Sequence, residues 1–111
     1  MKCPNYIPLE MRNKAIELKT INEIGWRRNE LIELLNFLKS NKKAILGGDV
    51  YTYKSNKLDT LGAGGANWSV NRQCENESFE DFAMRSIEET FNYLKKLPET
   101  QDFIFSVIFY D

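Results

Sequence analysis

Phe103-Ile104-Phe105-Ser106-Val107-Ile108-Phe109-Tyr110 decides the architecture. A serine is the only interruption in an otherwise apolar and aromatic run, so the segment has no polar face. It reads as a strand, and a strand apolar on both sides belongs inside a sheet with cover above and below. At an exposed edge the same ladder would recruit other chains. Its expected neighbour is Ala44 to Tyr53, where Ala44-Ile45-Leu46 leads through Gly47-Gly48-Asp49 to the β-formers Val50, Tyr51, Thr52 and Tyr53.

Outward from this pair the period changes to that of helices. Phe79, Phe82, Ala83, Ile87, Phe91, Leu94 and Leu97 trace one face of a long helix that stops before Pro98. Ser78, with Asp81 three residues on, resembles a capping box at its start. Earlier, Leu31, Leu34, Leu35 and Leu38 form a second apolar stripe, widened by Ile32 and Phe37. Asn29 is the expected N-cap of that helix, and Lys39, Lys42 and Lys43 suit its C-terminal end near Asn41. Leu9 to Thr20, entered after Pro8, reads as a weakly amphipathic helix. Lys54-Ser55-Asn56-Lys57 has turn chemistry; Leu58 to Leu61 and Asn67 to Val70 read as short strands, with a glycine loop, Gly62 to Ala66, between them. The order α-α-β-(β)-(β)-α-β predicts one small α+β domain over residues 1–111, its mainly antiparallel sheet packed against two to three helices.

Composition narrows the function. The 111 residues carry 15 Lys+Arg against 16 Asp+Glu, a balance that disfavours a dedicated nucleic-acid binder. There is no histidine, hence no Ser-His or Cys-His dyad and no imidazole metal ligand. Catalysis is disfavoured, and no cofactor or catalytic residue is expected. Cys3 and Cys74 fit no metal spacing and read as two free thiols. Pro4, Asn5 and Pro8 interrupt any signal-like apolar core, and no stretch is long enough to span a bilayer, so a cytoplasmic location away from membranes is expected. The balance hides an asymmetry: residues 1–58 hold eleven Lys/Arg and six Asp/Glu (net +5), residues 59–111 four and ten (net −6). If the fold keeps these halves apart, the acidic half offers a surface to a basic partner.

Several residues invite a functional reading. Gly47-Gly48 inside a strand marks a bulge or a close backbone approach; it either simply packs or aims Asp49 and Tyr51 outward. The Gly62–Ala66 loop lacks the spacing and the βαβ setting of a nucleotide fingerprint. Trp26 reads as a core-rim residue, whereas Trp68 is open between core and surface. Glu75, Glu77, Glu80, Asp81, Glu88 and Glu89 suit a solvated surface or a helix N-terminus; a metal site would require them to converge in a cleft.

The pattern Ile24-Gly25-Trp26, then Ile45-Leu46-Gly47-Gly48-Asp49-Val50-Tyr51, then Asn67-Trp68, Glu77-Ser78, a long aromatic-bearing helix and an apolar closing strand, resembles the immunity protein 40 family of bacterial polymorphic-toxin systems. The Gly62–Ala66 loop is a departure from that pattern. The resemblance implies a small α+β cytoplasmic protein that protects its producer by binding a cognate toxin, as a monomer or weak homodimer. The contact residues that physics then suggests are Asp49, Tyr51, Trp68, Glu75 and Glu77. Two rival readings are a small divalent-ion-dependent enzyme using Asp49 and Glu77, and a homo-oligomeric structural module.

Overall fold

In the computed structural model the chain runs α1 (Leu9–Asn13), β1 (Ile16–Leu18), β2 (Glu23–Arg27), α2 (Arg28–Ser40), β3 (Ile45–Lys54), β4 (Lys57–Thr60), β5 (Ala66–Ser69), α3 (Phe79–Lys95) and β6 (Phe103–Phe109). The structure describes residues 3–18, 22–54, 57–60, 66–99 and 102–110. The six strands form one antiparallel α+β sheet in the order β1-β2-β6-β3-β4, and β5 also pairs with β3.

The closing strand is central, as its composition requires. β6 lies between β2 and β3, and its register with β3 runs from Phe103 opposite Thr52 to Phe109 opposite Ile45. The other edge of β3 is shared: β4 pairs with residues 51–54 and β5 with residues 47–50. Of the expected Gly62–Ala66 loop, residues 62–65 lie outside the described residues, as does Leu61, and Ala66 is the first residue of β5.

Both long helices pack on one face of the sheet. Leu31, Leu34, Leu35 and Leu38 of α2, and Phe82, Ala83, Ile87 and Leu94 of α3, bury themselves against Trp26, Ile45, Val50, Trp68 and Phe105. Fully burying side chains of this size contributes roughly 1.5–3 kcal/mol each, and this shared core fixes which face of every strand points inward. The Ser78 cap forms as expected, its Oγ accepting from the Asp81 N–H at 3.1 Å. Ser86 and Thr90, also buried on α3, are reconciled with the core by donating to the Ala83 and Ser86 carbonyls, and Ser86 Oγ accepts from the Ile45 N–H at 3.2 Å.

Three local expectations are corrected. The first helix ends at Asn13 rather than continuing to Thr20: Ile16 and Leu18, two apart, pair as a strand with Gly25 and Glu23, which buries Leu18. Residues 19 and 20 lie outside the described residues. Asn29 is not the N-cap of α2. The chain passes straight from β2 into the helix, so the capping position falls on Arg27, which gives no side-chain cap. Trp26 is not at the core rim: it is buried, with Nε1 donating to the Met11 carbonyl at 2.9 Å.

Candidate partner-binding surface

The two glycines of β3 have different jobs. Between Ile45 and Gly47 the ladder slips by one residue, so Leu46 is the extra residue of a β-bulge and turns outward, 41 % exposed. Gly47 takes φ +144°, a conformation that favours glycine. Gly48, one residue on, faces the helices, and the Trp68 indole lies directly over it: a Cβ there would collide with the ring and with the Ser106 carbonyl. Trp68 also stacks on Tyr93 (centroids 5.2 Å, planes 24° apart) and donates from Nε1 to Thr90 Oγ1 at 3.0 Å. At 7 % exposure it belongs to the core and not to the surface.

Beyond the bulge, strand alternation sends Val50 and Thr52 inward and Asp49 and Tyr51 to the opposite face. Among the described residues no helix packs on that face. Its cross-strand rows are Ser69–Gly47–Ile108, then Asn67–Asp49–Ser106, then Tyr51–Ile104–Arg27. Ile104 and Ser106 are sealed, and Gly25 gives Ile104 room, since a Cβ at Gly25 would come within 2.6 Å of Ile104 Cγ2. The Gly47 end stays open, with Ile108 52 % exposed and Asn67 and Ser69 also exposed. Asp49 and Tyr51 are half-buried. Burial pushes the Tyr51 phenol above its usual pKa, and the negative charges of Asp49 and Glu23 push it further. The Arg27 guanidinium is engaged with the Asp102 carboxylate at 2.7 and 2.8 Å.

The acidic segment after β5 is held by one arginine. Arg85 of α3 donates to both Glu77 oxygens at 2.9 and 3.0 Å, to Glu89, and to the Asn71 and Arg72 carbonyls, while its guanidinium lies 5.3 Å from the Phe82 ring centre. Glu77 also accepts from the Cys74 N–H at 3.1 Å. The Arg85 hydrogen bonds and then the Cys74 N–H hold the Glu77 carboxyl down at a pKa of about 2. Glu77 is therefore an internal clasp pinning residues 71–77 to α3. Glu75, on the same loop, is exposed.

These placements separate residues that the sequence suggested together. Asp49 faces away from α3, whereas Glu77 is bound to α3 through Arg85. Among the described residues no group of three or more acidic or thiol side chains is placed to hold a metal ion. Cys3 is half-buried, Cys74 is exposed, and both are free thiols. Nor does the fold keep the basic and acidic halves of the chain apart. β6 sits between β2 and β3, and the Arg27–Asp102 and Lys42–Glu80 pairs join one half to the other. On the helical side, an open cleft of about 580 Å³ between the start of α2 and the end of α3 has Ile32, Phe91, Leu94 and Phe103 among its lining residues. Arg28, on its wall, is committed to the Leu94 and Leu97 carbonyls at the end of α3.

The family model described as Immunity protein 40 matches residues 14–109. The chain belongs to the immunity protein 40 family. No curated protein and no solved structure gives a significant match. The match begins just after α1 and closes on the last residue of β6, so in this immunity protein 40 chain the family pattern takes in the whole sheet and both long helices. No helix among the described residues is long and apolar enough to cross a membrane.

Of the five suggested contact residues, the structure brings Asp49 and Tyr51 together on the open face, puts Glu75 on an exposed loop, and uses Trp68 and Glu77 internally. Sequence reasoning misses Leu46 and Ile108, which read as interior positions of apolar strands. Gly47-Gly48 signals the bulge without showing which side chain it turns out. Arg85 carries no local signal, because its partners lie four to fourteen residues away.

Proposed function

We propose that this chain is an immunity protein that binds and neutralises the cognate toxin of a bacterial polymorphic-toxin system in the cytoplasm of the producing cell. The observation that carries the reading is the family match across the entire sheet. The fold suits such a role, because the helices stabilise one side of the sheet and leave side chains on the other available to a partner. Inhibition proceeds by occupancy, the protein covering the toxin's working surface or holding it inactive, as a monomer or weak homodimer. Asp49, Tyr51 and Glu75 contact the toxin directly, with Asp49 pairing a toxin cation and Glu75 steering association. Trp68 and Glu77 serve the interface indirectly, by fixing β3 against β5 and by setting the acidic loop.

The test is co-expression with the C-terminal domain of the multidomain protein encoded in the adjacent open reading frame. The expected result is rescue of growth and co-purification of the two chains. Growth arrest with no complex would overturn the reading.

A further inference from the structure

Leu46 and Ile108 are two exposed apolar residues at the bulge, Leu46 as its extra residue and Ile108 opposite Gly47. The missing side chain of Gly47 lets the Trp68 carbonyl of β5 approach closely. The Val70 N–H donates to the Leu46 carbonyl at 2.9 Å, so the bulge is tied to the chain leaving β5 and its shape is fixed before any partner arrives. Presenting apolar residues on rigid backbone lowers the ordering cost of binding.

The surroundings define the partner. Asp49 is a diagonal neighbour of Ile108, one row along the sheet. It makes no ion pair with a described residue, Glu23 adds negative charge to the same face, and Arg27 is taken up by Asp102. Asn67 and Ser69, both exposed on β5, form a polar rim. An apolar centre, a charged selector beside it and a polar rim are the anatomy of an interface hot spot. A second copy of this chain fits poorly, because a twofold arrangement would bring Asp49 and Glu23 of each copy toward the same acids of the other.

We infer that Leu46, Ile108, Asp49 and Tyr51 form the docking surface for the toxin, and that the toxin inserts an apolar side chain flanked by a lysine or arginine. This inference rests on the immunity reading and adds to it the surface and the chemistry of the contact.

The experiment measures affinity of the full chain for the C-terminal domain encoded in the adjacent open reading frame, by calorimetry at two salt concentrations. Ile108→Glu and Leu46→Glu are each expected to weaken binding by at least about 30-fold. Asp49→Asn is expected to weaken it about tenfold and to flatten its salt dependence. Met84→Glu, at a 51 % exposed position on α3, is expected to bind as the wild type does. Thermal melts of each variant separate lost contact from lost fold, and Ile108→Ser repeats the test without adding a charge. If the wild type binds and Ile108→Glu, Ile108→Ser and Leu46→Glu bind equally well, the docking surface is wrong while the immunity reading stands. If the wild type neither binds nor protects, the functional reading falls and the surface with it. A concentration-dependent dimer abolished by Ile108→Glu, with toxin binding unchanged, would assign the face to a second copy and overturn the inference.

Discussion

The two faces of the central sheet are made from alternating residues of the same strands, and they do opposite work. On the helical face Gly48, Val50 and Phe105 lie beneath Trp68 and the leucines of α2, and almost nothing there reaches solvent. On the other face Asp49 and Tyr51, each one residue from a buried neighbour, and Ile108, between two half-buried ones, remain wholly or partly accessible. A one-residue bulge manages the change of phase. Without it, the alternation that places Ile45 inward would place Gly47 inward and Gly48 outward, and the indole would lose its seat. The polarity of a residue's sequence neighbours therefore says little about its role; its phase relative to the bulge says more.

Substitutions that disturb this division rank from the helical face outward. Trp68→Ala removes the Tyr93 stack, the Thr90 hydrogen bond and the cover over Gly48, and is expected to cost about 3–5 kcal/mol in denaturant unfolding. Gly48→Ala drives a Cβ into the Ser106 carbonyl and the indole, and is expected to cost about 3 kcal/mol. A small loss at either position would mean that the packed face is looser than described.

Glu77→Gln probes the same contrast from the side of the loop. The folded carboxyl titrates at about 2, below its ordinary value of 4.5. Its folded-state pKa is depressed, so its contribution to stability is fully present above about pH 4.5 and is lost as pH falls toward 2. The variant is expected to melt below the wild type at neutral pH, with the gap closing as pH falls through that window. A gap independent of pH would show that Glu77 does not rely on its charge. The smallest stability effect belongs to the open face: Ile108→Ser is expected to change unfolding by no more than about 0.5 kcal/mol while impairing protection against the toxin.

Legibility in the sequence follows how local the determinants are. β6 is readable because eight consecutive residues without a polar face leave few places to stand, and α2 and α3 because their stripes repeat over several turns. β1 and β2 are not: Ile16 and Leu18 sit among charges, and Trp26 between glycine and two arginines, so only pairing across the sheet makes them strands. The same limit governs the site. Asp49 and Tyr51 follow from alternation beyond a glycine pair. Trp68 and Glu77 stand beside polar neighbours, yet their places depend on Gly48 across the ladder and on Arg85 of a distant helix.

If the open face and not the helical side meets the partner, Ile108 and Met84 must respond differently to it. The two are 52 % and 51 % exposed on opposite sides of the molecule, so exposure alone does not distinguish them. With both methyl groups isotopically labelled, NMR spectra are recorded as the C-terminal domain encoded in the adjacent open reading frame is added. The Ile108 methyl resonance is expected to shift and broaden at stoichiometric toxin while that of Met84 stays in place. A complex that moves Met84 and leaves Ile108 unchanged would contradict an interface on the open face.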